Sequence, residues 1–545
     1  MGKSKRVASR SKKQPAPKTG NASQYWSYAW LSLAIFFFAA IRFRLRSMPL
    51  ERDEGEYAYM GQLMLQGVPP YQLAFNIKMP GTYAAYALIM ALFGQSPTGI
   101  HLGFLFVNLG TLALLFFLAR RWLDEAGVLV CCAAYVLLSL SSAVLGLQAH
   151  ATHLVMINAL GGLLLLLRAR QTGRRGGMFL SGLLFGLSFL CKQPGLFFGL
   201  FALAVLAWDG WTAGAAQWRL CARNVFFFTV GLMTPLALTC LILWQAGTFA
   251  RFWFWTITYA RAHTGLLPAG FVLHRLKQSA SGGFERWLFL MGFAGWLWLL
   301  FQKGQKKFLM SAFLISSVLA LLVGRYLAQH YFVVMLPVVS LLIGVAVPGW
   351  AGALARTRLP WLHVVPAAMF IAVCAALIRS NGPLWFAEPP EVACADLYFA
   401  CPFVECLQIG QFIREHSTPR DRIAVIGSEP EVYFYAQRHS VSGYIYMYDL
   451  VEPQPYARAM QQEFIHDVET AQPEFLVLVN TGTSWMTWAD YDPALFNWIN
   501  SYPRQLYDLI GVTEMYPSHT EYRWGKEAVA EKPKTFNAIF VWKRK

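Results

Sequence analysis

Apolar and polar positions divide the chain into long apolar runs separated by short, mostly basic segments. The runs lie near residues 25–41, 97–119, 126–144, 147–167, 177–191, 195–208, 224–245, 286–301, 308–323, 331–348 and 361–378. A bilayer core needs about 20 apolar residues in one helix, so these runs read as about 11 transmembrane helices. Residues 82–94 are apolar but too few to cross comfortably, and read as an interfacial helix. Just before them, Tyr57, Met60, Gly61, Met64 and Leu65 fall on one side at helical spacing. That pattern predicts a short helix lying flat at the water–lipid boundary. From about residue 380 the apolar runs shorten and charged residues and prolines appear. RIAVIG (422–427) and EFLVLVN (474–480) read as buried strands, and segments around 405–416, 429–438 and 454–471 as helices. Alternating elements of this kind predict a small α/β domain with a parallel sheet.

Three units follow: a disordered basic tail (1–24), a transmembrane domain (25–379) with a first outer loop at 48–96, and an α/β domain (380–545). At 545 residues, 56% hydrophobic and 14% charged, the chain is a polytopic membrane protein. The net charge of +17 is no nucleic-acid signal, because the basic residues sit between apolar runs as orientation signals do. Arg120, Arg121, Arg168, Arg170, Arg174, Arg175, Arg219, Arg223, Lys303, Lys306, Lys307, Arg356 and Arg358 all mark loops on the cytoplasmic side. The N-terminus is then cytoplasmic and the α/β domain extracytoplasmic. Arg42, Arg44 and Arg46 fall at the outer end of the first span, where they snorkel or meet phosphates. The loop 246–285 is aromatic and basic, which reads as an interface belt or as a lid over a lipid. Six cysteines lie in or beside apolar runs as small core residues, whereas Cys394, Cys401 and Cys406 crowd one polar stretch where a disulfide is permitted.

This topology brings Asp53, Glu54, Lys78, His150, His153, Lys192, Arg325 and His330 to the outer ends of spans. Ionisable groups at membrane depth are costly and usually mark a site. An acid pair with a lysine at a membrane surface suits chemistry on a charged lipid head group. The plain alternative is that Asp53 and Glu56 form a helix N-cap and capping box. The chain holds no P-loop, no dinucleotide-binding glycine fingerprint, no HExxH and no nucleophile elbow.

Asp53-Glu54, Tyr57-Ala58, Lys78 with Pro80, and Phe93-Gly94 resemble the first outer loop of the GT-C glycosyltransferases. The nearer branch is families 39 and 83, with the protein mannosyltransferases and the lipid A aminoarabinose transferase. Lys192-Gln193-Pro194, Arg325 with His330-Tyr331 and Pro337, and the stretch at 428–450 are similar to segments of bacterial members. The resemblance implies inverting transfer of a sugar from a polyprenyl-phosphate donor to an unknown glycan, lipid or protein acceptor, in a bacterial inner membrane. It implies catalytic roles for Asp53 (base) and Glu54 (orienting the acceptor or the base). It implies a donor-phosphate contact from Lys78, though Met79 is inserted before Pro80; charge and place then assign further phosphate contacts to Arg325, Lys192 and His330, and substrate contacts to His150, His153, Tyr57, Gln193 and Tyr331. No metal is required by this scheme, although adjacent acids can recruit Mg²⁺ or Mn²⁺. The chain departs where many relatives carry an acid near the start of the fourth span, reading QAHATHL at 148–154. A histidine substitutes there, recognition differs, or activity is lost. The competing classes are a lipid-carrier flippase, which needs ionisable groups along a path through the membrane, and a silent assembly protein.

Overall fold

The computed structural model describes residues 21–213, 217–265, 269–399, 401–485 and 491–545, so most of the basic tail read at 1–24 lies outside the described residues. Every apolar run taken as a span contains a helix. They are α1 (Asn21–Arg44), then, after α2 (Arg52–Leu65) and α3 (Pro80–Phe93), α4 (Pro97–Trp122), α5 (Glu125–Leu140), α6 (Ala151–Thr172), α7 (Arg175–Cys191), α8 (Leu196–Ala213) and α9 (Trp218–Gln245). The connector that follows holds α10 (Phe249–Trp253), a π-helical turn (Phe254–Tyr259), α11 (Ala260–Gly265) and α12 (Ala269–Ser281). The bundle ends with α13 (Glu285–Leu300), α14 (Lys306–Leu322), α15 (Leu336–Leu354) and α16 (Val365–Ser380). Among the described residues, six helical segments are long and apolar enough to cross a membrane, so the protein is an integral membrane protein.

Local chemistry sets the helix starts. Ser96 and Asp124 accept from the backbone N–H groups of Gly99 and Gly127 at the heads of α4 and α5. Pro80 and Pro97 occupy first-turn positions where no N–H is needed. Close packing then needs small residues. Gly182 and Gly186 of α7 lie against the backbone of α9 at Phe228 and Leu232, where any β-carbon would collide. The arginines ending α1 do not snorkel. Arg42 is buried and donates to the carbonyls of Leu147, Ser139 and Gly146, and Arg44 donates to those of Leu384 and Glu388. Arg46 donates to Phe43 O within its own turn. Arg42 and Arg44 thus satisfy carbonyls at helix ends and turns that would otherwise lack partners.

The C-terminal domain, named the outer domain after the side on which the sequence reading expects it, opens with α17 (Pro390–Leu397) and α18 (Phe403–Glu415) and is built on a six-stranded sheet in the order β2-β1-β3-β6-β4-β5. The strands are β1 (Arg422–Ile426), β2 (His439–Ser440), β3 (Phe475–Asn480), β4 (Tyr507–Met515), β5 (Thr520–Trp524) and β6 (Ala538–Arg544), with α19 (Glu431–Ala436), α20 (Tyr448–Val451) and α21 (Ala457–Ala471) between them. Only β2, β1 and β3 run parallel; β6, β4 and β5 pair antiparallel, so the expected parallel sheet is a mixed one. The expected disulfide is also absent. Cys394, Cys401 and Cys406 are all free, and the Cys394 thiol of α17 packs on the Pro49 carbonyl just before α2.

The largest correction concerns α2. It does not lie flat at a lipid boundary. It is sandwiched between α3 and the outer domain, with every residue from Glu54 to Leu63 buried. Tyr59 stacks on Tyr433 with ring centroids 5.1 Å apart, and its hydroxyl accepts from Ser440 N. Leu50 N donates to the Tyr435 hydroxyl, and the Tyr446 hydroxyl donates to Arg52 O. Gly55 makes the closest approach: a β-carbon there would sit 2.5 Å from Cβ of Glu431. Gly55→Ala is therefore expected to lower stability by about 1–3 kcal/mol, the usual range for overpacking. Thermal unfolding of the detergent-solubilised protein checks this; an unchanged melting temperature refutes the tight α2–α19 contact.

Candidate active site

The head of α2 is fixed first. Glu51, not Asp53, is the N-cap, and it forms a capping box with Glu54. Burial, together with the charges of Asp53 and Glu54, raises the Glu51 carboxyl above its ordinary range. Glu54 is wholly committed. It accepts from Glu51 N, from Ala149 N and from the His101 ring, which is 3.0 Å away. The residue expected to share the chemistry with Asp53 thus ties α2 to α4 and to the start of α6, and does not face the same space.

Capping by Glu51 leaves Asp53 free to point into the junction of α2, the Lys78 loop, α6 and the turn before α15. Its Oδ1 is 2.7 Å from Lys78 Nζ, and its Oδ2 is 3.6 Å from His330 Nε2. Burial alone would raise the Asp53 carboxyl. The Lys78 ammonium outweighs it, with help from His330, His150 and Lys192, and holds the group ionised, well below the usual carboxylate range. Lys78 is held in turn by Glu56, whose Oε2 is 2.9 Å away and whose Oε1 accepts from the Tyr83 hydroxyl. Burial opposes the Lys78 charge, but Asp53 and Glu56 raise its ammonium well above the ordinary lysine value. Glu56 is a site residue the sequence reading assigned only to capping. Its position three residues after Asp53, on one helix face, was the available signal.

The Lys78 loop is pinned from both domains. Tyr71 donates to Lys78 O, Gln193 donates to Ile77 O, and Phe75 N donates to Gly443 O of the outer domain. Gln193 therefore positions the loop through its backbone. The Lys78 ammonium lies 5.0 Å from the Tyr57 ring centre and 6.0 Å from that of Tyr446, the latter an outer-domain residue. Lys192 sits in extended backbone at the end of α7 with its Nζ 4.1 Å over the Tyr331 ring. His150, the N-cap residue of α6, stacks on His330 at 3.9 Å. His153 turns inward instead, edge-on to Phe104. Arg325 is exposed, in left-handed backbone at φ 58°, and its neighbour Tyr326 reaches Glu452 of the outer domain.

Among the described residues, the buried polar atoms with no protein hydrogen-bond partner include Lys192 Nζ, His330 Nε2, both ring nitrogens of His150 and the Tyr57 hydroxyl. Leaving a buried donor unmade costs about 1–3 kcal/mol, more if charged, unless a ligand takes it. One ionised carboxylate surrounded by such groups can accept a proton and hold a polyanion. Asp53, His150 and His330 also offer ligand atoms close enough together for a metal ion. Of the two adjacent acids, Asp53 belongs to this group and Glu54 does not. Among the described residues of the 246–285 connector, the aromatic side chains divide between exposed and buried, Trp253 being exposed. Phe252, Trp255 and Tyr259 are buried, and Trp255 stacks on Phe75.

Comparison with known proteins follows this geometry. Residues 78–244, which begin at the site lysine, match the family model of dolichyl-phosphate-mannose-protein mannosyltransferases. No curated protein sequence matches the chain. The solved structure of ArnT from Cupriavidus metallidurans bound to undecaprenyl phosphate is similar at TM-score 0.62 and 14% identity, over 96% of this chain and 98% of that one. The archaeal oligosaccharyltransferase AglB from Archaeoglobus fulgidus, in complex with an inhibitory peptide and a dolichol-phosphate, is similar at TM-score 0.55 and 14% identity, over 92% and 75%. The mycobacterial arabinofuranosyltransferase AftD gives TM-score 0.51 and 16% identity over 94% of this chain and 41% of that one. Helical bundle, buried loop helix and outer sheet domain together give this chain the fold of the GT-C integral-membrane glycosyltransferases.

Proposed function

We propose that this protein transfers a sugar from a polyprenyl-phosphate carrier to an acceptor hydroxyl, with inversion, on the outer face of a bacterial inner membrane. The observation that carries the reading is the set of buried, unpartnered donors around one ionised carboxylate. The family model's donor class and the carriers bound to ArnT and AglB support the choice of a lipid-borne phosphate. The basic loops at the opposite end of the bundle support a cytoplasmic N-terminus and an external outer domain.

In the proposed reaction the acceptor oxygen attacks the anomeric carbon as the bond from that carbon to the phosphate oxygen breaks. The hydroxyl proton passes to Asp53, and the carrier departs as polyprenyl phosphate. Lys78 and Lys192 hold the charge that develops on it, with His330 as a further donor. Asp53 is a weak base while Lys78 clamps it. A phosphate arriving beside Lys78 competes for the ammonium, so the carboxylate loses its first counter-charge and its basicity rises. Donor binding thereby prepares the base. His150, at the start of α6, occupies the region where many relatives carry an acid, and its stacking fixes the His330 ring.

Transfer from a panel of defined polyprenyl-phosphate sugars by the lipid-reconstituted protein tests the reading, with an inverted glycoside expected as product. Carrier binding without transfer from any donor would instead favour a silent binding protein. Lys78→Ala is expected to raise the donor KM by about tenfold or more, the equivalent of one charge-assisted hydrogen bond. An unchanged KM would reduce Lys78 to a structural partner of Glu56.

A further inference from the structure

A second cluster, sharing no residue with the Asp53 site but within electrostatic reach of Lys78 and Glu56, lies where the connector after α9 meets the outer domain. His263 of α11, Asp449 of α20 and Glu452 just beyond α20 present ligand atoms within 4.8 Å of one another. His263 Nδ1 is 2.8 Å from Glu452 Oε2. The Tyr259 hydroxyl donates to Asp449 Oδ1 at 2.9 Å and reaches Glu452 Oε2 at 3.3 Å, and the Tyr326 hydroxyl reaches Glu452 Oε1. Both carboxylates are buried.

We infer that His263, Asp449 and Glu452 bind a divalent transition-metal ion of the zinc type, which clasps the connector to the outer domain. One imidazole nitrogen and two carboxylate oxygens are ligands of the zinc class. Tyr259 and Tyr326 hydrogen-bond those carboxylates, as supports of metal ligands do. Charge separates this cluster from the one at Asp53. There, an ammonium sits 2.7 Å from the carboxylate and Lys192 is close by, an arrangement suited to an anion. Here two buried carboxylates stand together beside one imidazole, His263, with no lysine ammonium bonded to either among the described residues. A dication would satisfy both. The ion joins α11 to the outer domain at one point, and Tyr326 from the turn after α14 bonds to its Glu452 ligand.

Full-length protein in detergent, stripped with a chelator and reconstituted with Zn²⁺ alone, tests the site by metal analysis and thermal unfolding. Wild type and Asp53→Asn are expected to retain one zinc per chain, and zinc is expected to raise the melting temperature of both. Glu452→Gln and His263→Ala are expected to lose the ion and the shift while eluting as native protein. Asp449→Asn decides the matter if His263→Ala does not fold. No retained zinc in wild type, or equal retention in the variants, overturns the inference. Loss of zinc in Asp53→Asn overturns it too, because the ion would then belong to the Asp53 cluster.

Discussion

Asp53→Asn is expected to lower the proposed sugar transfer by about 10²- to 10⁴-fold, the usual worth of a general base, and to leave the fold intact. The amide cannot take up the acceptor proton. It also costs little structurally, because Lys78 keeps Glu56 at 2.9 Å and the capping of α2 belongs to Glu51 and Glu54. The measurement is turnover at saturating donor, with thermal unfolding as the control. Near-normal turnover would remove Asp53 from the chemistry. The pH profile adds a second reading. Asp53 in the free protein is ionised down to strongly acid pH, because Lys78 holds its proton affinity down. On the proposed mechanism the acid limb of kcat, which reports the donor complex, lies at higher pH than the acid limb of kcat/KM.

Arg52→Met separates the outer domain from α2. Arg52 stands one residue before Asp53, and its guanidinium is 2.8 Å from the fully buried Glu429 carboxylate. It also donates to Ser428 O. Removing it strands a buried negative charge, which typically costs about 3–5 kcal/mol. The expected result is a lower melting temperature, faster proteolysis between α16 and α17, and lost transfer. Adding Glu429→Leu should recover much of the stability, since a matched apolar pair escapes the desolvation that the lone carboxylate suffers. No recovery in the double variant would mean that Arg52 acts through the Ser428 carbonyl instead.

The membrane bundle was legible because each of its helices is written as one continuous apolar run, and no distant residue is needed to read it. The site was legible in part. Topology alone brought Asp53, Lys78, Lys192, His150 and His330 to one end of the bundle. It could not orient them. Two overlapping acidic pairs, Glu51/Glu54 and Asp53/Glu56, offer the same capping spacing, and the choice is made by His101 and Ala149, distant in sequence. The burial of α2 was hidden for a similar reason. Tyr59 and Gly55 look like residues on a polar face until Tyr433 and Glu431 cover them. The mixed sheet was missed although β5 reads TEYRW, with Thr520, Tyr522 and Trp524 alternating with Glu521 and Arg523, because so short a run does not say which strand it pairs with or in which direction. Its place follows from pairing with β4, not from its own composition.

The sandwiching of α2 also bears on how such proteins diversify. A helix that carries the reacting carboxylate on one side and an ion pair with a separate module on the other cannot change that module freely. Grafting a foreign outer unit onto this bundle should fail unless the segment from Leu50 to Leu65 travels with it, because the fit at Gly55 and the charge at Arg52 are matched to one partner surface. New acceptor preferences would then arise by swapping whole, pre-matched cassettes, and single-module recombination would mostly yield dead enzymes.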